Sequence, residues 1–230
     1  ERKNNFNKLV RFFSPAWFAV IMGIVGLANG IYLILGSISF FKTIAIILGC
    51  LNILMFGVLL VPWIARWFMH FDQLKKDFKN PVMSNFFATM PVGAIIVAMN
   101  IINMGKEYFA MSFLITVGTV IWSLSAITIL TFSVVVMYNM MTMESIAPES
   151  TNFSWSITPV ASIVLPMLGN SLVNLYLQQN IEMAKFIQVV DISFTGIGLF
   201  LFIALNAIVL NRFIKHPMPN AMATPTFWII

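Results

Sequence analysis

Six stretches of this chain are apolar over lengths that only a lipid bilayer can absorb. They cover residues 15–36, 43–63, 85–103, 109–140, 155–177 and 186–213. Each comes close to or exceeds the ~20 apolar residues a helix needs to cross ~30 Å of hydrocarbon. A seventh begins at Thr224 and reaches Ile230. Within hydrocarbon every backbone N–H and C=O must find its partner inside the structure, which leaves helices or closed barrels. Runs of this length select helices. Composition agrees: 60% of the 230 residues are hydrophobic and 9% are charged, where a soluble domain carries about 25% charged residues and could not enclose so much apolar side chain in one core. The expected fold class is an all-α integral membrane protein with six complete spans and the start of a seventh.

The connections between runs are short and polar, apart from residues 66–80, so neighbouring helices are expected to pair as antiparallel hairpins. Residues 1–13 read as an N-terminal segment and residues 14–230 as a single transmembrane domain. Lysines and arginines set the orientation. The side of the N-terminus holds Arg2, Lys3, Lys8, Arg11, Arg66, Lys75, Lys76, Lys79, Arg212 and Lys215, and the other holds Lys42, Lys106 and Lys185. That asymmetry predicts a multi-pass protein of the cell membrane with a cytoplasmic N-terminus. The single cysteine, Cys50, rules out an intramolecular disulfide framework.

Reactive groups that could converge on a catalytic centre are scarce. The two histidines, His70 and His216, fall in connections, and neither belongs to a metal-binding helical pair. There is no Gly-rich phosphate loop and no Cys-x-x-Cys. The chain is expected not to be an enzyme, to need no metal or cofactor, and to have no nucleic-acid partner.

The first, third and fifth runs share a pattern. The first carries Ala19, Gly23, Gly26 and Gly30, the third Ala88, Pro91, Ala94 and Ala98, and the fifth Ser156, Pro159, Ser162, Pro166 and Gly169. Spacings of three and four place small residues on one helix face, and a proline inside a helix removes a hydrogen bond and kinks it. Two readings fit such faces: close helix packing through small residues, or the lining of a narrow path in which water or protein satisfies the freed carbonyls. Recurrence on alternate helices suggests an inner ring of odd helices wrapped by even ones. Gly23, Gly26, Gly30, Pro91, Ala94, Pro159, Ser162 and Pro166 are the candidate lining residues. Asp191 is the one carboxylate well inside a run, which makes it a candidate for proton coupling; an interfacial position or a pairing with a neighbouring helix fits it as well. No Lys or Arg lies in the middle of any run, so a passing anion would be attracted by basic residues at the mouths and by helix N-terminal dipoles.

Four segments carry a family likeness: PAWFAVIMGIVGLANG in the first run, KNPVMSNFFATMPVGAIIVA leading into the third, SWSITPVASIVLPMLG in the fifth, and TPTFWII at the seventh. In order and spacing they resemble the tellurite-resistance/dicarboxylate transporter family, which includes fungal malate transporters and plant slow anion channels. Ala19 stands where that family often has Gly, and Met83 where it usually has Arg. The resemblance implies ten helices in five hairpins with quasi-fivefold symmetry, a central pore lined by odd helices, and a homotrimer. Against that plan this chain is expected to be C-terminally incomplete, and the family's pore-blocking Phe on the ninth helix has no counterpart in it. The implied function is passage of small anions, either chloride- or nitrate-type ions or dicarboxylates such as malate. A non-conducting membrane scaffold subunit and a proton-coupled organic-acid carrier are the competing readings.

Overall fold

The computed structural model describes residues 2–216, so the expected seventh span from Thr224 lies outside the described residues. Among the described residues eight α-helices follow in order: α1 (Arg2–Phe12), α2 (Phe18–Leu35), α3 (Ser39–Met69), α4 (Phe71–Phe78), α5 (Thr89–Gly105), α6 (Met111–Thr142), α7 (Ile157–Tyr176) and α8 (Ile181–Lys215). Among the described residues six helical segments are long and apolar enough to cross a membrane, and they contain α2, α3, α5, α6, α7 and α8. No strand occurs among the described residues.

Helices α2, α5 and α7 begin alike. Each is preceded by a short 3-10 turn, at Pro15–Trp17, Met83–Ala88 and Phe153–Ser156. A polar side chain ahead of each turn satisfies backbone donors that the helix itself leaves free. The Ser14 hydroxyl accepts from the Ala16 N–H at 3.3 Å. Asn80 Oδ1 accepts from the N–H groups of Val82 and Met83, both at 2.9 Å, and Asn152 Oδ1 accepts from that of Ser154 at 3.0 Å. The turns are tied to one another. The buried Thr89 hydroxyl lies 2.7 Å from the Pro15 carbonyl and shares its proton with that of Phe86, while the buried Thr158 hydroxyl donates to Asn85 Oδ1 at 2.9 Å. Threonine on each later helix thus grips the entry of the one before it.

Helices α5 and α7 form the centre. In their segments 67% and 56% of the apolar window is buried, against 17–33% in the other four. Lipid tails are as apolar as leucine, so helices here are held by close packing and interhelical hydrogen bonds more than by hydrophobic driving force. Ile95, Ile102, Trp122, Leu165, Leu168 and Leu172 form the main cluster between α5, α6 and α7. Gly118 lets α6 come close: a Cβ there would sit 2.7 Å from Leu172 and 2.8 Å from Ile102. Outward residues such as Leu33, Ile34, Val58 and Phe200 are 68–79% exposed, as lipid-facing side chains should be.

Three expectations are corrected. The helices outrun the apolar stretches: α3 has 31 residues and α8 has 35, because hydropathy marks the lipid crossing while a helix continues until its backbone is interrupted. Residues 66–80 are the end of α3 followed by the amphipathic α4, not a plain connection. Arg66 is buried there because its Nη2 pairs with Asp77 at 2.5 Å and its Nε donates to the Arg11 carbonyl at 3.2 Å. Finally, Pro91 and Pro159 are each the third residue of their helix, in the first turn, where an N–H has little intrahelical work. Among the described residues the prolines inside helices are Pro166 in α7 and Pro62 in α3.

Candidate functional site

The glycine face of α2 is open. A Cβ built on Gly23, Gly26 or Gly30 would meet nothing within 4 Å, and Ala19 on the same face is exposed. Only 22% of the α2 window is buried. The helix is instead anchored through its other side by Phe18, Ile21 and Val25, which pack with Val97 of α5 and half-buried Phe56 of α3, and by Ala28 against Ala45. Beside the glycines, Asn29 Oδ1 accepts from the Asn103 side chain of α5 at 3.4 Å.

The small residues of α5 and α7 are placed differently. Pro91 is buried and its carbonyl accepts from Ser125 of α6 at 3.5 Å, which turns it toward α6. Ala94 is half-buried. Ile96 and Met99, half-buried against the same cluster as Met22 of α2, lie on the far side of α5 from Ala94, since two residues turn a helix by about 200° and five by about 140° net. On α7, Pro159 and Ser162 are buried against α8: a Cβ on Gly198 would lie 2.8 Å from the Pro159 carbonyl and 3.0 Å from Ser162 Cβ. Pro166 is half-buried and is followed by exposed Met167, Asn170 and Asn174. The structure therefore leaves the α2 glycines facing open space, leaves Ala94 and Pro166 partly accessible, and uses Pro91, Pro159 and Ser162 for helix contacts.

Asp191 is the eleventh residue of α8, about 15 Å of helical rise from its start. It is 4% exposed. Oδ1 accepts from Trp122 Nε1 of α6 at 3.0 Å, and Oδ2 is buried without a partner. The carboxyl lies against Gly169 of α7, where any Cβ would collide with it. Asp191 thus pairs across helices and joins α6, α7 and α8 at one point. Sequence reasoning missed Trp122, because nothing in the chain pattern links positions 69 residues apart. The Gly169 role was half visible as a small residue at helical spacing. Among the described residues no group of three His, Cys, Asp or Glu side chains could hold a metal ion.

Six lipid-length helical segments among the described residues, with α5 and α7 the most buried of them, define a multi-pass membrane protein. Residues 12–230 match the family described as voltage-dependent anion channel, SLAC1, and the chain belongs to that family. Two proteins of Methanocaldococcus jannaschii are similar: the uncharacterized transporter MJ0576, 36% identical over 222 residues, and the uncharacterized transporter MJ0762, 33% identical over 221. Each alignment covers 96% of this chain and 61% of the relative.

Proposed function

We propose that this chain forms part of a passage for small anions across the cell membrane, with the glycine face of α2 as one wall. The observation that carries the reading is that face. Glycine costs about 1 kcal/mol per helical position relative to alanine, and three of them ordinarily serve close helix approach. No described atom of another helix comes within 4 Å of a Cβ built at Gly23, Gly26 or Gly30, so the room on that face is available to a solute. Ala94 and Pro166 keep a partly open side and are proposed to contribute further lining. Pro91, Pro159 and Ser162 are proposed to act on the path through the placement of α5 and α7.

Family membership supports anions as the cargo, and so does the charge pattern. Helices α2, α5 and α7 enter the membrane from the same side, so the positive ends of three helix dipoles lie together, on the side that carries ten of the thirteen basic residues. Absence of a mid-span cation suits fast release, which conduction needs as much as entry. The remaining proposals are a ten-helix quasi-fivefold arrangement, a homotrimer and a cytoplasmic N-terminus.

Proteoliposomes of the full-length protein, assayed for chloride, nitrate and malate uptake under a voltage or a pH gradient, test the reading. Flux that falls in Gly26→Leu while assembly is retained supports it. Unchanged flux in a folded Gly26→Leu protein removes α2 from the wall, and no flux of any of the three anions favours a scaffold subunit. A proton-coupled acid carrier is favoured by one observation, the unpartnered Oδ2 of Asp191; uptake that requires a pH gradient and is lost in Asp191→Asn would select it.

A further inference from the structure

Helix α1 is amphipathic and only partly used by the fold. Phe6, Leu9, Val10 and Phe13 recur at spacings of three and four and so share one face. Val10 and Phe13 are buried. Two polar contacts hold the helix against the end of α3, from Arg66 Nε to the Arg11 carbonyl and between the Asn7 side chain and His70 Nε2 at 2.5 Å. The rest of the apolar face is left over: Phe6, Leu9 and Phe12 are 45%, 55% and 71% exposed. With Trp17, Val58 and Val61 they line a groove of about 760 Å³.

The rim of this groove is basic. Lys8 and Arg11 are exposed on the turns beside it, and the Arg11 guanidinium stands 5.7 Å from the centre of the Phe12 ring. Helix α1 carries no acidic residue. Below the rim the groove continues onto the lipid-facing side of α3, where Val58 is 68% exposed and Val61 57%. Trp17, 57% exposed, is a residue type that favours the headgroup level. Cationic rim, interfacial tryptophan and apolar floor match the order of groups along one lipid molecule.

We infer that this groove is a binding site for an anionic phospholipid of the leaflet on the N-terminal side, its headgroup on Lys8 and Arg11 and one acyl chain along Leu9, Phe12, Val58 and Val61. The inference needs only that the six spans lie in a bilayer and is independent of what the protein conducts. Each basic residue near an anionic surface contributes about fivefold in affinity, and binding of this kind combines apolar burial with attraction to the headgroup.

Native mass spectrometry of the full-length protein, released from detergent holding equal phosphatidylglycerol and phosphatidylcholine of the same chains, tests it. Retention of phosphatidylglycerol should exceed that of phosphatidylcholine by about tenfold or more. Lys8→Gln with Arg11→Gln should bring the two lipids near parity, and Val58→Trp, which fills the groove, should lower retention of both. Equal retention by the wild-type protein, or an unchanged preference in the double variant, overturns the inference. So does a Val58→Trp protein that keeps its lipids but changes its oligomeric state, since that assigns the groove to contact between copies.

Discussion

Replacing Gly169 by alanine is the sharpest test of how α6, α7 and α8 are held together. The added methyl group would occupy the space of the Asp191 carboxyl. That carboxyl cannot shift cheaply, because Oδ1 is bonded to Trp122 Nε1 and the site is buried. Overpacking a tight core costs about 1–3 kcal/mol, and losing a hydrogen bond to a charged or strongly polar group costs about 1.5–3 kcal/mol more. A loss of roughly 3–5 kcal/mol would lower the melting temperature by about 10 °C for a chain of this size. The assay is thermal unfolding of the detergent-solubilised full-length protein, followed by intrinsic fluorescence or by retention of the monodisperse peak. Asp191→Ala in the Gly169→Ala background removes the group that the methyl strikes, so the double variant should be more stable than the sum of its two single losses allows. A Gly169→Ala protein within about 2 °C of wild type refutes the packing argument. Strict additivity in the double variant refutes the contact between these two positions.

Gly26→Leu should reduce anion flux at least tenfold with the melting temperature within a few degrees of wild type, since no neighbour stands within 4 Å of the new Cβ; flux in proteoliposomes and thermal unfolding check the two halves. Asp191→Asn keeps the shape of the side chain and should leave voltage-driven flux intact if the protein is a channel, while abolishing pH-driven uptake if it is a carrier. Asn152→Ala removes the acceptor for the Ser154 N–H and should cost about 1 kcal/mol, as a lost helix cap does, read as a fall of a few degrees in melting temperature.

Much of this fold was legible because lipid imposes two rules that a sequence obeys openly. Spans must be long and apolar, so six were found in the right order, each within its helix or within a few residues of it. Where the α3 stretch ended too early, the missing part carries a charged residue that finds partners elsewhere in the fold. Arg66 looks like a loop residue until Asp77 and the Arg11 carbonyl are seen around it. Small faces were legible too, but spacing alone could not say what they face. The glycines of α2 and the Pro159–Ser162 pair of α7 have the same pattern in sequence, and the structure opens the first and packs the second on Gly198. Nor could a proline be placed in its helix without the 3-10 turn that precedes it. Counting from the apolar run put Pro91 and Pro159 inside spans, and counting from the entry turns puts them at the start.

Those entry turns bear on what the open face is for. Thr89 bonds the entry of α2 and Thr158 bonds the entry of α5, so three helices enter the membrane as one linked series, each fixed to its predecessor. Such a series has its shortest polar anchors at one end and, apart from the Asn29–Asn103 contact between α2 and α5, small or apolar contacts along its length. Movement of one helix against the next is therefore restrained at the entry side and depends elsewhere on packing. In that arrangement α5 is held from both directions, by α2 and α7, and is the most buried of the six. Among the described residues helix α2 packs chiefly on α3 and α5, and its glycines form the open end of the series. A face that serves only to seat another helix and a face that conducts make different demands on that opening. Seating favours a side chain that fills the gap, so Gly26→Leu could be accommodated or even stabilising once a neighbour adjusts. Conduction leaves no such freedom, because the added volume stands where the solute passes.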